Sequence, residues 1–162
     1  MRRYSHLLDT IWSMEKFDLL KSKLAKASSI VITTHAWPDA DGIGGQIALC
    51  MTLKQLGKKA ICVNELPLLQ RYKYLDPEDV VFGMDEADDM DKVDLVIIVD
   101  TNTIKRVGKR MENYASDKEL LYIDHHPCAE INPSEHIVDT TKAATGELVG
   151  DIILDLGVKF NK

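Results

Sequence analysis

The stretch Val93-Asp94-Leu95-Val96-Ile97-Ile98-Val99-Asp100 decides the fold. Its apolar run is continuous and rich in β-branched residues, without the alternation of a strand that has one face in water. A strand apolar on both faces belongs inside a parallel sheet covered by helices. Working outward, similar short runs occur at Ile30-Val31-Ile32, at Ala60-Ile61-Cys62-Val63 and over Leu120 to Ile123. Helical spacing predicts a first helix over about residues 6 to 27, through Leu7, Leu8, Ile11, Trp12, Phe17, Leu20 and Leu24. Further helices are expected at Ile43 to Leu56 (stopped by Gly57), within Lys105 to Tyr114, and from about Ala144 to Leu156. The expected architecture is a single α/β domain of three layers, a parallel Rossmann-like sheet with helices on both faces and right-handed crossovers.

Residues 64 to 92 carry little pattern. Asp85, Glu86, Asp88, Asp89 and Asp91 read as a solvated acidic face. The chain has 162 residues, 45% of them hydrophobic and 28% charged, enough for one buried core and unlike a disordered segment. Its net charge of −6 disfavours duplex nucleic acid, which needs a basic face. No apolar run approaches the ~20 residues of a membrane span, and no signal-peptide core follows Met1-Arg2-Arg3. Cys50, Cys62 and Cys128 show no C-x-x-C spacing, so unpaired thiols in a reducing, cytoplasmic setting are expected.

Three strands end on residues suited to metal or acid–base chemistry. Ile30 to Thr34 runs into His35, Val96 to Val99 into Asp100, and Leu121 to Ile123 into Asp124-His125-His126. The carboxyl ends of parallel strands share one edge, where ligands bind in α/β folds, so the three segments can converge. The first loop adds Asp39 and Asp41, with Pro38 and Gly42 shaping the turn into the next helix. Taken singly, each of these residues is more often a turn residue, a helix cap or a surface histidine. Together, Asp39, Asp41 and Asp100 would repel by about 4 kcal/mol per close pair at an effective dielectric near 20. Divalent cations relieve that repulsion, and mixed carboxylate–imidazole donors suit Mn²⁺, Fe²⁺, Co²⁺ or Zn²⁺ better than Ca²⁺.

With these residues in view, the sequence resembles the DHH phosphoesterase family. His35 to Gly44 resembles its first motif, Val93 to Asn102 its second, and Tyr122 to Pro127, with the triplet Asp124-His125-His126, its third. Val138 to Glu147 is similar to the region that follows in the nano-RNase and 3′-phosphoadenosine-phosphate phosphatase branch. The resemblance implies one Mn²⁺ on His35, Asp39 and Asp100 and a second on Asp41, Asp100 and His125, with Asp100 bridging. It gives His126 a substrate-phosphate or proton-donor role, has Asp124 orient the triplet, and assigns Arg106 to substrate phosphate. The implied function is two-metal hydrolysis of short single-stranded oligonucleotides, 3′-phosphoadenosine phosphate or cyclic dinucleotides. A manganese-dependent inorganic pyrophosphatase is the alternative enzyme, and a metal- or nucleotide-binding module without turnover the non-enzymatic one. Thr140 to Glu147 favours the nucleotide branch, and a homodimer is compatible with it.

Departures from the branch pattern are Trp37 where Asn is common, Gly42 where Ala is usual, and Gly45 where Ser is frequent. The family continues to a fourth-motif Asp and a smaller substrate-binding domain. Asp139, Asp151 and Asp155 do not occupy that position, so residues 1 to 162 are expected to be the DHH domain alone, truncated before both features.

Overall fold

The computed structural model describes residues 17–88, 90–127 and 131–159. Residues 17–26 form helix α1; the remainder of the expected first helix, residues 6 to 16, lies outside the described residues. The strands are β1 (Ser29–Thr33), β2 (Lys59–Asn64), β3 (Val81–Gly83), β4 (Leu95–Val99), β5 (Glu119–Asp124) and β6 (Ile137–Val138). Helices α2 (Ala40–Gln55), α3 (Lys109–Ala115) and α4 (Thr145–Asp155) complete the main elements. The sheet order is β3-β2-β1-β4-β5-β6, and every neighbouring pair is parallel.

All five residues of β4 are buried, as its unbroken apolar run requires. Its alternate side chains feed two different cores. Leu95, Ile97 and Val99 join Leu20 and Leu24 of α1, Leu49 and Leu53 of α2, and Leu148 and Ile152 of α4 on one face. Val96 and Ile98 meet Val107, Met111 and Ala115 around α3 on the other. This is the three-layer arrangement that the strand pattern predicts.

Two strands escape the sequence pattern. β3 has three residues and β6 two, too few to show a period, and both lie at the sheet edges. Helix boundaries also move. α2 starts three residues earlier than expected because Asp39 caps it, accepting from the backbone N–H groups of Asp41 and Gly42. Gly57, at φ 78°, ends the same helix in the left-handed region. α3 starts late because Ile104–Arg106 takes a 3-10 turn first. The acidic stretch is largely exposed; within it Asp85 pairs with Arg110 at 2.6 Å, and Glu86 accepts from the Gly83 N–H. Cys50 and Cys62 are buried free thiols.

The strand order places the site. From β1 the chain moves outward through β2 and β3, then returns to β4 on the other side of β1. The crevice beyond the carboxyl ends of β1 and β4 is therefore the topological switch point, where α/β sheets receive ligands. His35 follows β1 and Asp100 follows β4.

Candidate metal centre

Asp100 is the centre of the arrangement. It is 3% exposed, and its backbone stands at φ 63°, a conformation that costs a non-glycine residue and tends to persist at functional sites. Its N–H donates to the Ile123 carbonyl, which anchors the turn to β5. Oδ2 lies 3.6 Å from His35 Nε2. Oδ1 accepts a 2.9 Å hydrogen bond from the Thr145 hydroxyl and lies 3.9 Å from His125 Nε2 and 3.8 Å from His126 Nδ1. Burial pushes the Asp100 carboxyl up, but His35, Thr145 and the charge of His126 together hold it below the usual carboxylate range.

Two groups of donor atoms close enough to share an ion meet on this carboxylate. One is His35, Asp39 and Asp100; the other is Asp100, His125 and His126. Asp39 is also the N-cap of α2, so its Oδ1 is already held by two backbone N–H groups. Asp41 is placed differently from its nearest sequence neighbour. Its two oxygens accept from the Thr145 and Gly146 N–H groups at 2.8 and 2.7 Å, and Oδ2 stands 3.8 Å from His125 Nε2. The N-cap residue of α4 is Ala144, whose side chain cannot accept a hydrogen bond, and Asp41 supplies that acceptor from α2. The first turns of α2 and α4 are thereby tied together beside Asp100.

The triplet is held from behind. Asp124 is fully buried, and its Oδ1 accepts from the His125 N–H at 2.9 Å and contacts His126 Nδ1 at 2.8 Å. Asn102 Nδ2 donates to Asp124 Oδ2 at 2.7 Å and to the His126 and Pro127 carbonyls at 3.2 Å each. His126 thus has Nδ1 engaged by a carboxylate and a side chain 46% exposed. Arg106 is exposed on the 3-10 turn after β4, and its carbonyl accepts from the Ala36 N–H at 2.7 Å, joining the first and second loops.

Sequence reasoning gave no role to Thr34, Asn102 or Thr145. Thr145 follows the segment similar to the nano-RNase branch, and Asn102 closes the second motif, but their partners are 45 and 22 residues away. Thr34 is fully buried, and its hydroxyl has no hydrogen-bond partner among the described residues. An ideal Cβ at Gly42 would fall 2.4 Å from that hydroxyl and 3.3 Å from Asp100 Oδ2. Buried orphan hydroxyls are rare, and one beside a carboxylate–imidazole cluster fits a site that takes a hydrated cation. The donor set fits a transition-metal dication for the same reason given by its chemistry: oxygen and imidazole nitrogen, with no thiolate.

The fold and this cluster define an α/β domain with a carboxylate–imidazole centre at its switch point. Sequence comparison makes the class specific: the description "DHH family, N-terminal domain" matches residues 29–161, and the chain belongs to the DHH family. It is 33% identical over 148 residues to the bifunctional oligoribonuclease and PAP phosphatase NrnA of Thermus thermophilus, covering 90% of this chain and 43% of that protein. It is 28% identical over 151 residues to the probable bifunctional oligoribonuclease and PAP phosphatase NrnA of Streptococcus mutans, covering 91% of this chain and 46% of that protein. The chain therefore spans less than half the length of these curated relatives. An exopolyphosphatase-related protein from Bacteroides fragilis shares the fold, with a TM-score of 0.76 at 24% identity over 88% of this chain and 44% of its own.

Proposed function

We propose that this domain carries the catalytic centre of a Mn²⁺-dependent phosphoesterase acting on short single-stranded oligonucleotides, 3′-phosphoadenosine phosphate or cyclic dinucleotides. The observation that carries the reading is Asp100, a buried carboxylate shared by both donor groups and held at a strained backbone angle. His35, Asp39 and Asp100 would hold one ion. Asp100 and His125 would hold the other, with Asp41 as the expected third ligand and His126 the nearest alternative. Divalent ions there would offset the charge of a phosphodiester and lower the pKa of water.

The protein's own groups account for the remaining roles. Asp124 at Nδ1 orients the His126 ring, leaving Nε2 to face substrate and give a proton to the departing oxygen. Asn102 keeps Asp124 in place from the opposite side. Arg106, exposed on the turn whose backbone is tied to Ala36, would meet a substrate phosphate. In this reading residues 1 to 162 act as one DHH domain, working with a substrate-clamping part and a further carboxylate supplied elsewhere. The acidic net charge fits a short single-stranded substrate better than a duplex, and the buried free thiols of Cys50 and Cys62 fit a reducing, cytoplasmic setting. Among the described residues no helix is long and apolar enough to cross a membrane.

The test is Mn²⁺-dependent hydrolysis of the dinucleotide pApA, with Asp100→Ala as the control. Hydrolysis that disappears in the control supports the reading. Hydrolysis that persists in Asp100→Ala, or a folded chain that binds no Mn²⁺, overturns it. Faster hydrolysis of inorganic pyrophosphate than of pApA would move it to the pyrophosphatase branch.

A further inference from the structure

Beside the donor cluster lies a recess of about 420 Å³, lined by His35, Ala36, Trp37, Lys105, Arg106 and Gly108. Its volume is within the range of small-ligand sites. His35 belongs both to this recess and to the cluster, since its Nε2 lies 3.6 Å from Asp100. Trp37 is 81% exposed, the most exposed of the large apolar side chains among the described residues. Its indole has no aromatic or cation–π partner there, although an indole is among the side chains that gain most from burial. Lys105 and Arg106 are exposed on the facing turn, and neither forms an ion pair among the described residues.

An unstacked aromatic face, two cations and the edge of a phosphate-type site occur in one recess. We infer that Trp37 is a nucleobase platform: a nucleotide stacks its base on the indole while its phosphate reaches Lys105, Arg106 and the cluster beyond His35. Stacking on an aromatic face is tolerant of base identity, and it distinguishes a nucleotide from a phosphate ester that has no base. Inorganic pyrophosphate could meet the two cations but has no base to stack on the indole. The inference rests on the phosphoesterase reading for the phosphate end alone; the base end stands on Trp37.

The probe is the 5′-monophosphate of 2-aminopurine riboside, whose fluorescence falls on stacking, titrated into the full chain in Mg²⁺ buffer. Saturable quenching is expected, weakened by at least about 10-fold in Trp37→Ala and largely kept in Trp37→Phe. Adenosine 5′-monophosphate should displace the probe at least about 10-fold better than ribose 5-phosphate. Trp37 is exposed, so neither substitution threatens the core, and an unchanged melting curve checks this. Absence of saturable quenching, binding by Trp37→Ala within about 2-fold of the unsubstituted chain, or equal displacement by ribose 5-phosphate overturns the inference. Quenching that behaves as expected in a chain that binds no Mn²⁺ would sink the catalytic reading and leave the platform standing.

Discussion

Asp94 and Asp100 stand at opposite ends of the same strand, β4, and have opposite surroundings. Asp94 is exposed and accepts from the Ser28 and Ser29 N–H groups at 2.7 and 2.9 Å through one oxygen. Those bonds hold its carboxyl below the usual carboxylate range and tie the start of β1 to the start of β4. Asp100 is buried, strained and surrounded by the side chains of His35, His125, His126 and Thr145. One acid has its partners supplied by the backbone within reach. The other lies among imidazole and carboxylate donors close enough together to share a cation. The difference separates a carboxylate that serves the fold from one whose position the fold maintains at a cost.

The largest contrast should come from replacing each in turn. Asp100→Asn is expected to lower hydrolysis by at least about 100-fold, since removing even an outer partner of a metal site typically costs 10–100-fold. Its metal-free melting temperature should hold or rise, because Asn tolerates the left-handed region and carries no charge. Asp94→Asn should do the reverse, lowering the melting temperature and leaving hydrolysis near that of the unsubstituted chain. Activity surviving in Asp100→Asn, or a melting loss equal in both variants, breaks the comparison.

Metal binding sharpens it next. Saturating Mn²⁺, at about 100 times its dissociation constant, should stabilise the unsubstituted chain by about 2.7 kcal/mol, and a chelator should remove that gain. Asp94→Asn should show the same gain and Asp100→Asn almost none. Thermal melts with and without chelator decide this, and an equal response in the two variants would show that Asp100 does not hold the ion.

A steric test at the same edge is smaller. Gly42→Ala places a methyl 2.4 Å from the Thr34 hydroxyl, and forcing an extra carbon into such a space costs about 1–3 kcal/mol. Thr34→Ala added to Gly42→Ala should recover most of that loss, because the clash is with the hydroxyl. Denaturant unfolding of the single and double variants measures the coupling; strict additivity would show that the two residues do not meet.

The smallest effect is the pH dependence of the Asp94 tie. Its folded carboxyl titrates below its unfolded value, so the unfolded chain binds more protons between the two. Its stabilisation is fully present above the usual carboxylate range and disappears as pH falls through the lower folded value. The melting difference between the unsubstituted chain and Asp94→Asn should therefore be constant near neutrality and shrink as pH falls below about 4. A difference that grows on acidification would reverse the sign of the assignment.

Much of this molecule was legible in its sequence because the central strands are buried on both faces. β1, β2, β4 and β5 each leave an unbroken apolar run of three or more residues, and their order with the helices implies the parallel sheet. β3 and β6 were not legible, since three-residue and two-residue edge strands owe their pairing to a neighbour already in place. His35, Asp39, Asp100 and the triplet were legible because each lies within a few residues of a strand end, and parallel strands share one edge.

The sequence by itself determined the sheet and the convergence of three loops that carry carboxylates and imidazoles, because burial pattern and residue type are local properties. Only the tertiary structure decided how the carboxylates divide their work. Asp41 turned to cap α4 because Ala144 offers no acceptor, Thr145 came to hold Asp100, and Thr34 was left with its hydroxyl facing Gly42. The Asp41 and Thr145 roles depend on which groups meet across 45 to 105 residues of chain, and hydrogen-bond partners at that separation exist only once the layers have packed.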